Sequence, residues 1–408
     1  MKKQGPIEKL KFTFEILTPL YLGGSVLEKP QRSVMSVKGA LRFWYRSICP
    51  NAVHPKKDQK HWQEHRIFGS TQGQSPFLLR WVGDDLEKLY EAGSFQAESG
   101  RFNEGHGNNQ RNGFRYLGYP FGMQGGRRDA WQAGQQFTLE AVFPRGATDE
   151  QRKVLTASVW LLGHLGALGS RSRRGFGSLQ LTEWSSDSEQ WKTILNEVKL
   201  ADSVQQPMQW RSHVNAAREM FISWFGEWSV ESESPTYYPH LGRTARLWLG
   251  VVEKFRCKNW QDGLNAAGRL LQDFRVRRPP DAGRFMAYVI DRKRMAWAPE
   301  RSAFGLPLAF RDAKTRRSVT FVPAYGHEQC LTRWPSLMHI RLIKLGRFYH
   351  PIFVVLDGAV PGQPLDDVKV EPRVAVESKA RELLKPPAVN LLETFVEEKL
   401  KGAWSWMS

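Results

Sequence analysis

The chain opens on a simple alternation. Leu10, Phe12, Phe14 and Ile16 are apolar, while Lys11, Thr13 and Glu15 between them are polar. A period of two predicts a half-buried strand, ended by Thr18-Pro19. The period then lengthens. Val37, Leu41, Trp44 and Ile48 form one stripe of an amphipathic helix, with Ser36 placed to cap it. A short strand fits Phe77 to Val82. The stretch from Gly93 to Gly134 is rich in glycine, asparagine and arginine and has no period, so it reads as an insertion. Alternation returns at Phe137, Leu139, Ala141 and Phe143 and stops at Pro144. Val154, Ser158, Leu161, Leu165 and Leu168 make a second helical stripe, and Leu179 and Leu181 open another strand. The order β-α-β-(insertion)-β-α-β predicts an α+β, ferredoxin-like domain with two helices on one face of an antiparallel sheet.

The second half is less periodic. Residues 185–209 are polar, and Trp191, Leu195 and Val198 point to one short helix. A domain boundary is expected there, with a first domain over 1–195 (insertion at about 93–134) and a second over 205–408. The second domain offers a strand around Arg246 to Val251, a helix around Trp260 to Phe274 and an irregular basic region. A hairpin of Met338 to Leu345 with Ile352 to Leu356 follows, then two helices after Pro372 and Pro387. This is again α+β, with its topology open.

Charge changes the picture. In 408 residues, 59 Lys and Arg face 41 Asp and Glu, a net charge of +18 and a pI near 9.9. Such a surplus favours a polyanionic partner, because phosphates release counterions on meeting it. A passive basic surface is the bland alternative. Cys49, Cys257 and Cys330 are too few and too scattered for a disulfide scaffold or structural zinc, which fits a reducing cytoplasm. After Met-Lys-Lys there is no signal-peptide core, and no apolar run reaches the roughly 18 residues of a membrane span. A soluble, cytoplasmic chain is expected.

Three basic regions are candidates for that partner. Lys38, Arg42 and Arg46 lie at i, i+4 and i+8 on the first helix, about 130° from its apolar stripe. Between the second helix and its strand runs Gly169-Ser170-Arg171-Ser172-Arg173-Arg174-Gly175-Phe176-Gly177-Ser178. Its glycines admit close anion approach, Ser170 and the arginines can bind phosphate, and Phe176 can stack on a base. It is not a nucleotide P-loop, since the strand–loop–helix order is reversed and the lysine is missing. Residues 271–350 hold 16 basic and 6 acidic side chains. There Arg275, Arg277, Arg278, Arg284, Arg292, Lys293 and Arg294 mingle with Phe274, Phe285, Tyr288 and Trp297, a mixture suited to single-stranded RNA. Core aromatics with solvated charges between them are the equally weighted alternative. The insertion at Gly93 to Gly134, with Arg111, Arg115, Arg127 and Arg128, is a further candidate RNA- or partner-contacting loop. His61-Trp62-Gln63-Glu64-His65, with His54 nearby, matches an inverted zinc-protease pattern. Five-residue matches arise by chance, so neither a metal nor a cofactor is expected.

Specific motifs then add to this reading. Thr18 to Gly24, followed by Ser36-Val37-Lys38-Gly39-Ala40-Leu41-Arg42-Phe43-Trp44-Tyr45-Arg46, resembles the opening of the RAMP superfamily. The Leu-Arg-Phe-Trp version is most similar to the first subunit of type III-B (Cmr) CRISPR effector complexes. Gly169 to Ser178 resembles the family's glycine-rich loop. Phe68-Gly69-Ser70, Tyr116 to Tyr119 and Trp334-Pro335-Ser336-Leu337 also have counterparts, the last in a departing form. The resemblance implies two fused ferredoxin-like domains that hold the 3′ part of a guide crRNA, or the paired single-stranded target RNA, beside other RAMP subunits. Target-cleaving relatives carry a catalytic aspartate between first strand and first helix. Here Gly23 to Met35 holds Glu28 as its only carboxylate. Guide-processing relatives use histidine, and neither RNA-facing motif contains one; His164 lies one turn before the loop. A non-catalytic RNA-binding subunit is therefore expected. The rivals are a RAMP endoribonuclease and a scaffold that touches only protein.

Overall fold

The computed structural model describes residues 6–23, 28–49, 63–83, 86–105, 111–201, 204–227, 239–276, 297–311, 317–325, 333–358, 368–374, 384–385 and 390–407. The first alternation is strand β1, Glu8–Ile16; Leu10, Phe12, Phe14 and Ile16 are fully buried while Lys9 and Lys11 are exposed. Helix α1, Val34–Ile48, begins ahead of the apolar stripe because Ser33 is its cap, its hydroxyl accepting the Ser36 amide at 3.2 Å. Then come α2 (Gln63–Phe68) and β2 (Leu78–Val82). The insertion is structured: β3 (Leu89–Tyr90), α3 (Ser94–Gly100), α4 (Gly113–Leu117) and β4 (Ala130–Trp131). Strand β5 (Gln136–Phe143), helix α5 (Asp149–His164) and strand β6 (Leu179–Ser185) complete the domain. A Thr148–Gln151 capping box starts α5. The sheet order is β2-β5-β1-β6, antiparallel throughout, with Phe12 opposite Leu139 and Thr13 opposite Thr138. This is the ferredoxin-like order.

Helix α6, Glu189–Glu197, is the expected short helix. Helix α7, Pro207–Phe225, adds an element that the sequence reading left out. Its buried stripe, Trp210, Val214, Ala217 and Phe221, has the spacing of the α1 stripe, but Met208, Met220, Ile222 and Trp224 lie off it and blur the amphipathic contrast.

The second half then repeats the first. Strand β7 (Arg246–Leu249) is followed by α8 (Trp260–Val276), β8 (Leu308–Arg311), β9 (Ser318–Tyr325), β10 (Met338–Leu345) and β11 (Phe348–Val355). Strand β12 (Val368–Val374), a last helix (Leu391–Lys399) and β13 (Trp404–Ser405) close the chain. The main sheet runs β10-β11-β7-β13, the same second-third-first-fourth order as in the first domain. The α+β class, as two ferredoxin-like domains in tandem with insertions, is therefore what the chain adopts. Strands β8, β9 and β12 form a separate three-stranded sheet built from insertions. Pro372 lies within β12; the helix expected after it falls outside the described residues.

The two domains meet edge to edge at β6 and β10. The Leu342 amide donates to the Ser178 hydroxyl at 3.1 Å, and the Arg341 guanidinium donates to the Leu179 carbonyl at 2.5 Å. Arg341 is 1% exposed, and burial pushes it down to about 9. The insertion is sewn into the second domain. Phe95, Phe114 and Phe121 share one core with Leu264, Phe274, Phe353 and Phe395. Helices α4 and α8 cross at Gly113 and Gly268, where a Cβ on either glycine would overlap the other backbone.

Candidate nucleic-acid interface

The cations of α1 do not stand free. Arg42 donates to Glu64 of α2 at 2.6 Å, and Arg46 lies 3.7 Å from the other oxygen of that carboxylate, which is buried. Lys38 sits over the Phe77 ring at 5.0 Å, and burial together with Arg42 lowers its pKa. The row expected to face RNA is thus used largely in docking α2, with Arg42 and Arg46 each about a third exposed or less.

The Gly/Arg loop is held from below by the segment that ends β1. The Thr18 hydroxyl donates to the Gly175 carbonyl at 2.7 Å and accepts the Ser178 amide at 2.9 Å; the Ser170 amide donates to the Tyr21 carbonyl at 2.8 Å. Gly169, Gly175 and Gly177 all adopt positive φ, and Arg171 joins them at φ 62°. At Gly177 a Cβ would overlap the Leu168 carbonyl. One expectation for this loop is corrected. Phe176 is fully buried, packed among Tyr21, Phe95, Phe114 and Phe121, so it supports the loop and cannot stack on a base.

The loop's arginines instead reach across the molecule. Arg171 donates to the Leu117 carbonyl of the insertion. Arg173 donates to the Ser336 carbonyl at 2.5 Å, and Arg174 to the Phe304 carbonyl at 3.2 Å, both in the second domain. Together they floor a cleft of about 1010 Å³ between loop, insertion and second domain. Arg115 of the insertion and Arg275, Arg301 and Arg333 of the second domain complete a lining with seven arginines. Among the described residues, no aspartate, glutamate or histidine lines it. Burial pushes Arg173 down to about 10 and Arg174 to about 9, with Arg171 and Arg275 adding to the displacement of Arg174. Both stay cationic at neutral pH, so the cleft concentrates positive charge that no carboxylate of its described lining balances. Arg115 and Arg333 are exposed, with no partner for either guanidinium among the described residues.

The other expected residues divide. Ser170 is partly buried at the base of the loop, its amide held by Tyr21. Arg111 pairs with Asp273 at 3.6 Å, and Arg128 covers Phe121 at 5.5 Å, so both stabilise the insertion. Arg277, Arg278, Arg284, Arg292 and Arg294 lie outside the described residues, as do His54 and His61 of the zinc-protease pattern. Glu64 of that pattern is the partner of Arg42. Among the described residues no group of three His, Cys, Asp or Glu could hold a metal, and no helix is long and apolar enough to cross a membrane. Sequence reasoning missed Arg301 and Arg333, and it noted Tyr119 and Ser336 only as parts of motifs; the tertiary fold gathers all four at the cleft.

The open face of the first sheet supplies a contrast. RNA-recognition sheets of this topology carry aromatics there to stack bases. Here β1 presents Lys9, Lys11, Thr13 and Glu15, and β5 presents Thr138, Glu140 and Val142. None is aromatic, so this face lacks the base-stacking residues of such a sheet.

Residues 13–180 match the model of the RAMP superfamily. The N-terminal domain matches that model over most of its length. The chain is 27% identical over 187 residues to the CRISPR system Cmr subunit Cmr1-2 of Pyrococcus furiosus, covering 42% of this chain and 93% of that protein. It is 26% identical over 163 residues to Cmr1-1 of the same organism, covering 39% of this chain and 43% of that one. The crystal structure of apo Cmr1 from Pyrococcus furiosus superposes with a TM-score of 0.58 at 16% identity, over 98% of this chain and 99% of that one. That likeness is one of fold, and it runs through the second domain.

Proposed function

We propose that this chain is a non-catalytic RNA-binding subunit of a type III-B CRISPR effector complex, and that it holds guide or target RNA in the cleft between its two domains. One observation carries the reading: seven arginines from three separated parts of the sequence converge on a cleft with no carboxylate among its described lining residues. Arginine forks suit phosphate, and a polyanion relieves the repulsion among them. Similarity of the chain to the Cmr subunits Cmr1-1 and Cmr1-2 supports the assignment to that kind of complex. The same lining supports holding over cutting. A ribonuclease needs a general base or a metal-binding carboxylate at the phosphate, and among the described residues no Asp, Glu or His lines the cleft.

Arg115 and Arg333 provide the test, since neither guanidinium holds the fold together. The full chain should bind a labelled single-stranded RNA below micromolar concentration at low salt, and tightness should fall steeply as salt rises. Arg115→Glu with Arg333→Glu should weaken binding and flatten the log–log salt slope by about 0.7 for each phosphate left without its cation. An unchanged slope places the RNA elsewhere. Cleavage of the bound RNA, seen on a denaturing gel, would overturn the non-catalytic part.

A further inference from the structure

Arginines explain why an RNA backbone enters the cleft, but they do not distinguish a single strand from a duplex. We infer that Tyr119 does, as a stacking platform for one unpaired base at the cleft. The inference rests on the RNA-binding reading above and adds to it the kind of RNA that fits. Among the described residues four aromatics line the cleft: Tyr116, Tyr119, Phe304 and Trp334. Phe304 and Trp334 are buried, and Tyr116 is half-buried with Arg275 over its ring at 5.7 Å. Tyr119 alone among them is open, at 58% exposure, and its ring has no aromatic, cationic or hydrogen-bonding partner among the described residues.

The turn that carries it is nonetheless fixed. Tyr119–Gly122 is a 3₁₀ turn with Pro120 in its first positions. Phe121, two residues on, is stacked on Tyr21 at 3.7 Å. Gly118 before it packs so closely that a Cβ would overlap the Phe95 ring, and one on Gly126 would overlap the Pro120 carbonyl. A rigid backbone thus presents a large apolar ring to water, beside Arg115 and beside Leu117, whose carbonyl holds Arg171. Phosphate-binding guanidinium groups next to an open aromatic face are the arrangement by which proteins hold single-stranded nucleic acid without reading its sequence. The aromatic-free face of the first sheet leaves this ring to take that role.

The probe is a labelled oligouridylate, the same strand with abasic sites, and a blunt RNA duplex, each titrated against the full chain by fluorescence anisotropy. Tyr119→Ala should weaken binding of the oligouridylate by roughly 5- to 100-fold, as for one stacked base, with the salt slope unchanged. Tyr119→Trp should restore it. The abasic strand and the duplex should bind alike to wild type and Tyr119→Ala. An oligouridylate affinity untouched by Tyr119→Ala, in a protein where Arg115→Glu with Arg333→Glu does weaken it, overturns the stacking role and leaves the cleft intact. If neither variant changes binding, both fall. A matched circular dichroism melt for each variant separates a missing stack from a damaged fold.

Discussion

Replacing Gly113 by alanine tests whether the insertion is held in place by the second domain. A Cβ at this position would lie closer than 3.0 Å to the Asn265 carbonyl, the Arg269 amide and Gly268 of α8, all backbone that cannot rotate aside. To regain ordinary contact at 3.4 Å, α4 must retreat by about 1 Å. The retreat strains three hydrogen bonds. The Gly113 and Phe114 amides donate to Asn265 Oδ1 at 2.9 and 3.2 Å, and the Asn112 amide to Gln272 Oε1 at 3.0 Å. Overpacking costs about 1–3 kcal/mol and each weakened bond about 1 kcal/mol or less, so a loss of roughly 3–5 kcal/mol is expected. Gly39→Ala is the control. It lies in exposed helix with nothing near its would-be Cβ, and should be stabilising by about 0.5–1 kcal/mol. Urea denaturation followed by tryptophan fluorescence measures both. Because α4 carries Arg115 and Tyr116 and leads to Tyr119, Gly113→Ala should also weaken RNA binding, although it removes no charge. A Gly113→Ala protein with wild-type midpoint and wild-type RNA affinity would refute the reasoning.

Three further outcomes are expected. Glu8 and Arg152 are both buried and joined by two contacts, at 2.8 and 3.1 Å, so Glu8→Gln leaves a buried guanidinium with little besides the exposed Asp149; a destabilisation of about 3–5 kcal/mol should appear in the urea midpoint. His164 and His339 are held well below the ordinary histidine range by burial, with His213 acting on the first and Arg173 and Arg174 on the second. Their lowered native pKa means the unfolded chain binds protons more readily below about pH 6.5, so their contribution is complete above that pH and lost as pH falls toward the native values. The urea midpoint should therefore drop between pH 7 and 5, and His164→Gln should shallow the drop. A polyanion that occupies the cleft should raise the melting temperature, and excess single-stranded RNA at about 100 times its dissociation constant should add about 2.7 kcal/mol; no shift with saturating RNA would contradict linkage to the native cleft.

Much of the fold was legible because periodicity reports burial. The alternation at Leu10 to Ile16 and Phe137 to Phe143, and the stripe at Val37 to Ile48, mark the faces that pack on the first core. The second domain resisted for identifiable reasons. Its fourth strand is the pair Trp404–Ser405, too short for any period, and long insertions separate α8 from β10. Helix α7 was obscured by apolar residues off its stripe, Met208, Met220, Ile222 and Trp224, which blur its polar face. Among candidate site residues, sequence separates local pattern from tertiary pairing poorly. Arg42 and Arg46 look like a free row on α1 until Glu64 arrives from α2. Phe176 looks like an exposed ring on a loop until Phe95, Phe114 and Phe121 close over it. Conversely, Arg171, Arg115 and Arg333 become one surface only when the insertion crosses α8.

The most direct test of the central claim is ultraviolet crosslinking of RNA to this chain, alone and within the proposed effector complex, followed by peptide mapping. Crosslinks in the peptides that contain Arg115 to Tyr119, Arg171 to Arg174 and Arg333 to Ser336 are the predicted result. Crosslinks confined to Lys9–Lys11 and Arg80 on the open sheet face, with none in the cleft, would contradict it.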